Sequence, residues 1–223
     1  DCQQTTFALT DDAIAVKLSR IIRSLTQEIG TPMNTTSVIR GGHLVDVKRR
    51  TADQVDILIA DDTIAAVQAT GSALPPEANV IEAQDRLLIP GLVNAHTHID
   101  ANMARSMGDR WSLELALNSN PAARRGTTDE DKYLGALLGA AEMIRKGCTA
   151  CYDLFYEFPC PSTEGLLAVG RAYREAGMRA VVAPMMSDRS FFDAVPGLRA
   201  ALPDDIAQAA TTISWEEALG TVQ

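Results

Sequence analysis

The sequence predicts an α/β protein in which a small β-rich unit precedes alternating strands and helices. Two patterns predict this class. Between about residues 36 and 83, apolar residues recur at every second position in short β-branched runs, which is typical of half-buried strands. After residue 86, apolar runs alternate with helical segments, as in a parallel sheet with right-handed crossovers. We therefore divide the chain into residues 1–32, 33–86 and 87–223.

The first segment contains one amphipathic helix, which we predict over residues 10–30. Its apolar residues recur at three- and four-residue steps, Thr10 can cap its start, and Gly30 with Pro32 ends it. One interpretation is a helix that binds a partner. We favour the simpler alternatives, a packed helix or a remnant of upstream sequence, because single helices are often mistaken for interaction motifs.

The second segment is predicted to form the hairpins of a small β-unit. Its runs SVIRGGHLVDV, VDILIADDTIAAVQA and NVIEAQ are broken by Gly-Gly, Asp-Asp and Pro-Pro pairs, which favour turns. His43 lies in the first run, and no second ligand-type residue shares its phase. We interpret it as a surface histidine.

The third segment alternates strands and helices. RLLIPGLVNA, CTACYDLF and MRAVVAPMM are the strand candidates. Between them lie a helix capped by Thr128 and ended by Gly147, and a helix ended by Gly177. Only 137 residues (223 − 86) follow Arg86, enough for about three strand–helix units. The segment is therefore either a small open sheet or the first part of an eight-unit barrel.

Composition excludes several classes of partner. The formal net charge is −9, and the longest basic run is KRR at 48–50, which argues against nucleic-acid binding. No apolar stretch approaches the roughly 18–20 residues that cross a bilayer, and no secretory signal marks the N-terminus. Four scattered cysteines do not form a disulfide scaffold. We expect a cytoplasmic protein with neither nucleic-acid nor membrane partners.

Two of the three histidines, His96 and His98, follow the first strand candidate of the third segment. Residues two apart on a strand face the same side, so both rings should point together where the long loop at 99–127 begins. Neutral imidazole is a common ligand of Zn²⁺. An isolated H-x-H is a weak signal, and a metal-free pair is the alternative. The apolar strand, the long loop and the scarcity of histidine favour a metal site.

Three other candidates are weaker. Cys148 and Cys151 are three residues apart on a predicted strand and so face opposite ways, which favours a structural role over a redox or zinc motif. Asp153, near the end of that strand, could support the metal site, although we favour a capping or ion-pair role. The same two interpretations apply to Asp188, which follows the next strand.

The stretch IPGLVNAHTHID resembles the first-strand signature of the amidohydrolase superfamily, metal-dependent hydrolases built on a distorted (β/α)8 barrel. The form VNAHTH looks most like the branch of cyclic-amidine deaminases and chlorohydrolases. The resemblance covers roughly residues 36–223 and not 1–32. It implies an α/β fold with a small N-terminal β-sandwich unit, followed by the first three or so units of a TIM-like barrel, which is incomplete.

The resemblance also implies a ligand set. His96 and His98 correspond to the first two ligands of a divalent metal, which we expect to be zinc, with iron as the alternative. The family takes two more histidines and an aspartate from later strands, and no histidine follows His98. Since a catalytic zinc site needs three protein ligands, we expect the 223 residues to be a fragment that is inactive by itself.

The loop after the histidines borders the substrate in the family, and many relatives place an Arg-Gly pair and two acids there. Arg105 and Asp109 match this pattern and are the candidate substrate-binding residues. Ser106 and Arg110 stand where glycine and the second acid are common. This departure affects the prediction of the substrate more than the prediction of the reaction type.

These observations predict a metal-dependent hydrolase that cleaves a C–N or C–Cl bond of a cyclic amidine or nucleobase-like heterocycle with metal-activated water. One alternative is a two-metal cyclic amidase or deacetylase, which a carboxylated lysine on a fourth strand would indicate. Another is a non-catalytic fragment. The expected partner is a small heterocyclic substrate, and homo-oligomerisation of the full-length protein stays open.

Overall fold

The computed structural model describes residues 36–123, 126–158, 160–187, 189–209 and 214–222. These residues form two compact units that divide after Pro90. The helix expected over 10–30 and the candidate Asp188 lie outside the described residues. Within the described ranges, every helix is too short or too polar to cross a membrane. The three segment boundaries drawn from the sequence stay a prediction.

The first unit contains one mixed sheet of five strands. They are β1 (Ser37–Asp46), β2 (Thr51–Ala60), β3 (Thr63–Ala69), β4 (Asn79–Glu82) and β5 (Leu87–Leu88). Strands β1, β2 and β3 form two successive antiparallel hairpins, as the alternation predicts. Strands β4 and β5 instead pair with β1 in parallel, so the prediction that NVIEAQ belongs to a hairpin is wrong. The described residues of this unit form one sheet, whereas a β-sandwich has two.

The Gly41-Gly42 pair lies inside β1, so the prediction that it interrupts this run is wrong. The strand continues because the pair forms a bulge: the register against β2 shifts between Ile39 and Gly42, and Gly41 has φ of +71°. Asp56 of β2 is fully buried and accepts hydrogen bonds from the amides of Gly41 (2.8 Å) and Gly71 (3.1 Å). One carboxylate thus ties the bulge to the turn after β3.

Replacing Asp56 by alanine should loosen this unit. The Asp56→Ala variant leaves the amides of Gly41 and Gly71 without their acceptor, at a cost of about 1–3 kcal/mol. Hydrogen exchange followed by NMR should therefore show faster exchange of both amides. The matched control is Asp53→Ala on the same strand, where the side chain is exposed and exchange should stay unchanged. Unchanged exchange in Asp56→Ala would contradict the assigned role.

The second unit alternates strands and helices around a parallel sheet of three strands in the order β6-β7-β8. Its elements are β6 (Leu92–Thr97), a 3₁₀ helix (Ile99–Ala104), α1 (Leu113–Ala123), α2 (Asp129–Arg145), β7 (Cys148–Phe155), α3 (Thr163–Glu175), β8 (Arg179–Pro184), α4 (Phe191–Ala194), α5 (Leu198–Ala201), α6 (Asp204–Ala209) and α7 (Trp215–Val222). The parallel α/β arrangement predicted from the sequence is confirmed.

Two boundaries differ from the sequence prediction. The strand expected over RLLIPGLVNA is two strands in two sheets, β5 and β6, on either side of Pro90. Proline has no N–H to donate to a ladder, so it separates them. The segment 99–127, expected to be a loop, contains the 3₁₀ helix and α1. The leucines, alanine and glutamate of LELAL are strong helix formers, which favours α1.

Local capping signals position the two long helices as predicted. The Thr128 hydroxyl accepts the Asp131 amide, and the Asp131 carboxylate accepts the Thr128 amide, so the two form a capping box at the start of α2. Gly147 and Gly177 follow α2 and α3 with positive φ. Both helices therefore end where the next strand begins.

The core of the second unit lies on one side of the sheet. Cys151, Asp153 and Phe155 alternate along β7 and are buried. The opposite side carries Tyr152, which pairs in register with Val181 of β8, and both side chains are exposed. Parallel sheets normally have both faces covered. In the described residues only one face of this sheet is covered.

Candidate metal centre

A bulge at the end of β6 places the two histidines. Residues 94–97 of β6 stand opposite residues 151–153 of β7, so β6 carries one extra residue there. Bulges re-aim side chains, and this one replaces the regular alternation that the sequence suggested. His96 lies within the bulge, where its amide donates to Asn94 Oδ1 at 3.3 Å. His98 follows the strand and immediately precedes the 3₁₀ helix.

The structure brings the two imidazoles together. Their Nε2 atoms lie 3.2 Å apart, with ring centroids 4.9 Å apart and planes at 79°. His98 Nδ1 lies 3.0 Å from the carbonyl oxygen of Leu154. Since a carbonyl only accepts, His98 Nδ1 carries the proton and its Nε2 presents a lone pair. Both rings are exposed.

This donor set fits a shared cation. Two nitrogens that each lie about 2.0–2.1 Å from a tetrahedral Zn²⁺ are about 3.3 Å apart, close to the observed 3.2 Å. The same spacing lets His96 Nε2 donate to His98 Nε2 when no cation intervenes. Among the described residues, no third His, Cys, Asp or Glu side chain joins the pair. The role of His96 and His98 as metal ligands stays a prediction.

A buried carboxylate supports the segment that carries His98. Asp153 of β7 is 0 % exposed; its Oδ1 accepts the amide of Ile99 at 3.1 Å and its Oδ2 accepts the hydroxyl of Tyr173 at 3.0 Å. Burial raises the pKa of Asp153, and the bonds from Ile99 and Tyr173 and the nearby His98 lower it. Ile99 begins the 3₁₀ helix, so this hydrogen bond gives Asp153 the capping role favoured from the sequence, while its support of a metal site stays a prediction.

Sequence reasoning missed two partners in this cluster. Tyr173 belongs to the buried face of α3 and is 2 % exposed, with burial as the main cause of its raised pKa. Nothing in the helical pattern marks it as different from a core residue. The carbonyl oxygen of Leu154 carries no side-chain signal at all. The pairing of β6 with β7 brings the Leu154 carbonyl to His98, and the position of α3 brings the Tyr173 hydroxyl to Asp153.

The two candidate substrate residues lie beyond the histidines and have different environments. The Arg105 guanidinium pairs with Glu142 of α2 at 2.5 Å and with Asn102 Oδ1 at 2.7 Å. Asp109 is exposed, and within the described residues no hydrogen bond or ion pair joins it to the histidines. Ser106 has φ of +66°, the left-handed conformation that favours glycine, which fits the glycine of the family pattern. The substrate role of Arg105 and Asp109 stays a prediction.

Helix α2 packs closely on the 3₁₀ helix through Gly139. A Cβ at Gly139 would lie 2.2 Å from Asn102 Nδ2 and 2.7 Å from Ile99 Cδ1. A Cβ at Gly135, one turn earlier, would meet Met103 Cγ at an ordinary 3.4 Å. Gly139 therefore sets how near α2 approaches the residue after His98.

Two alanine substitutions on α2 should have opposite effects. Gly139→Ala must displace Ile99 or Asn102 and should lower the free energy of unfolding by about 1–3 kcal/mol. Gly135→Ala is the matched control; it gains helix propensity without a clash and should be neutral or stabilising by up to about 1 kcal/mol. Urea unfolding followed by tryptophan fluorescence reports on this unit, which contains Trp111 and Trp215. Equal stability of the two variants would show that the close approach is unimportant.

The second unit has a parallel α/β sheet, and its paired imidazoles follow the carboxyl end of β6. In many α/β folds with parallel strands, ligands bind at that end of the strands. Comparison with known families is more specific, since residues 87–222 match the model of the amidohydrolase family. The match covers more than half of the chain, and the chain belongs to the amidohydrolase family.

Two curated proteins with similar sequences are both named as deaminases. The 5'-deoxyadenosine deaminase of Methanothermobacter thermautotrophicus is 41 % identical over 135 residues, which are 59 % of this chain and 29 % of that protein. The 5-methylthioadenosine/S-adenosylhomocysteine deaminase of Haloarcula marismortui is 36 % identical over 136 residues, again 59 % of this chain and 29 % of the relative. The chain thus matches less than a third of the length of either relative.

Solved structures share the fold. A mutant of the atrazine chlorohydrolase from Arthrobacter aurescens, complexed with zinc and atraton, has a TM-score of 0.59 at 22 % identity and covers 66 % of this chain and 35 % of its own. An amidohydrolase from an environmental sample of the Sargasso Sea has a TM-score of 0.59 at 19 % identity, covering 84 % of this chain and 40 % of its own.

Proposed function

We propose that this chain supplies the first two metal ligands and part of the substrate-binding surface of a metal-dependent amidohydrolase. The reaction is hydrolysis of a C–N bond, or of a C–Cl bond, in a cyclic amidine or nucleobase-like heterocycle. One observation carries the proposal: the Nε2 atoms of His96 and His98 lie 3.2 Å apart at a strand end, in a member of the amidohydrolase family. The names of the relatives favour deamination of an adenosine-like substrate.

Each residue of the site has a task under this proposal. His96 and His98 hold the cation through Nε2, and the Leu154 carbonyl keeps His98 in the tautomer that leaves Nε2 free. When bound, the cation supplies a Lewis acid that lowers the pKa of water towards about 7. Arg105 and Asp109 border the substrate from the loop beyond. Imidazole suits Zn²⁺ and Fe²⁺, and the zinc-containing neighbour favours zinc.

We further propose that β6, β7 and β8, with their helices, are part of a (β/α)8 barrel. The exposed side of the sheet, with Tyr152 and Val181, supports this because a barrel covers that side with its other strands. The matched segment is only 29 % of the length of one relative, which leaves room there for further strand–helix units. On this proposal residues 33–86 are a β-rich companion domain, residues 87–223 a partial hydrolase domain, and the 223 residues alone are inactive.

Zinc titration tests the metal site directly. The 223-residue chain should bind one Zn²⁺ weakly, since it offers two ligands, and His96→Ala and His98→Ala should each weaken binding further, by about tenfold or more, because each removes a ligand. His43→Ala is the matched control and should bind as the wild type does, because His43 lies in β1. Competition with a chromogenic chelator at pH 7.5 measures the affinities. No zinc binding by the wild type, or equal losses in all three variants, would refute the proposal.

A further inference from the structure

We propose that Asp153 and Tyr173 are a positioning pair for the candidate metal centre: they hold the backbone after His98 so that its ring keeps facing His96. This inference rests on the proposed function and adds residues outside the ligand set. Within the described residues no hydrogen bond joins either side chain to the facing Nε2 atoms, and both act through the amide of Ile99.

Hydrogen bonds, and not core packing, must hold the two imidazole rings in place. His96 and His98 are exposed, so the surrounding core does not confine their rotamers. An exposed side chain exchanges rotamers within nanoseconds unless hydrogen bonds hold it. The bond from His98 Nδ1 to the Leu154 carbonyl, at 3.0 Å, is the contact that fixes the ring against β7. That bond holds only if the His98 backbone keeps its place against the same strand.

Asp153 fixes that backbone. Its Oδ1 accepts the amide of Ile99 at 3.1 Å, and Ile99 directly follows His98. Two neighbouring residues of β7 therefore hold two neighbouring residues after β6. The Asp153 side chain bonds to the Ile99 backbone, and the Leu154 backbone bonds to the His98 side chain. The peptide and the ring of His98 are both held, so the ring cannot swing away without breaking one of the two bonds.

Tyr173 fixes the orientation of the carboxylate. Its hydroxyl donates to Oδ2 of Asp153 at 3.0 Å, which leaves Oδ1 directed at Ile99. Both side chains are almost completely buried, so neither group can exchange its partner for solvent. Tyr173 belongs to α3, and Ile99 packs against Gly139 of α2. Two helices and two strands thereby determine the direction of one imidazole.

The variants separate hydrogen bonding from packing. Asp153→Leu keeps the number and branching of the side-chain heavy atoms but removes the acceptor, and zinc should bind about 10–100-fold more weakly to the 223-residue chain. Asp153→Asn is the conservative variant; its amide oxygen can accept from Ile99 and its NH₂ can donate to the Tyr173 hydroxyl, so affinity should stay within about threefold of wild type. Tyr173→Phe should give an intermediate loss. Val169→Ala, a fully buried change on α3, is the stability control and should leave zinc affinity unchanged.

A spectroscopic measurement distinguishes positioning from a general structural role. Long-range ¹H–¹⁵N NMR of the metal-free chain should show His98 protonated on Nδ1 in the wild type, in Asp153→Asn and in Val169→Ala. In Asp153→Leu and Tyr173→Phe it should show a mixture of the two tautomers. Circular dichroism checks that each variant is folded; if Asp153→Leu does not fold, Tyr173→Phe decides alone, since it removes one hydroxyl.

The outcomes separate the two proposals. If the wild type binds no zinc, the proposed function is wrong. If the wild type binds zinc and the folded Asp153→Leu and Tyr173→Phe variants retain its affinity and the Nδ1–H tautomer, the positioning inference is wrong while the metal site stands. A loss of affinity in Val169→Ala as large as that in Tyr173→Phe would also overturn the inference, because general destabilisation would then explain both.

Discussion

The parallel pairing of β6 with β7 is the constraint on which the site depends. Two exposed imidazoles do not by themselves keep their Nε2 atoms 3.2 Å apart. The strand pairing keeps them together, because it places Asp153 and the Leu154 carbonyl opposite the residues that follow β6. The direction of the histidines is thus a consequence of strand register.

Two helices on the covered side of the sheet contact the groups that hold His98. α2 approaches the 3₁₀ helix closely because Gly139 has no side chain, and α3 directs Tyr173 at the buried carboxylate. The covered face thus carries the groups that orient the histidines. A substitution in the core can therefore change the proposed site without touching a ligand.

Some of this arrangement could be predicted from the sequence because its causes are local. The cap at Thr128 and the glycines that end α2 and α3 act within one helical turn. The spacing of His96 and His98 is read directly from the sequence. The same is true of the alternation of strands and helices, which sets the fold class.

The rest depends on contacts between distant parts of the chain. In the bulge at Gly41, the amide donates to Asp56, which lies fifteen residues later in the chain. The bond between Asp153 and Tyr173 joins a strand to the next helix, and Arg105 pairs with Glu142 across 37 residues. Pro90 separates β5 from β6, yet the unbroken apolar composition around it suggests one strand. Each of these features becomes visible only with strand pairing and packing.

We expect His96 and His98 to bind one cation together. X-ray absorption spectroscopy of the zinc-loaded 223-residue chain tests it most directly. The spectrum should show a nearest coordination shell with two imidazole nitrogens at about 2.0–2.1 Å from zinc, and the outer-shell scattering that imidazole rings produce. A shell of sulfur at about 2.3 Å, or a shell of light atoms without imidazole scattering, would contradict it.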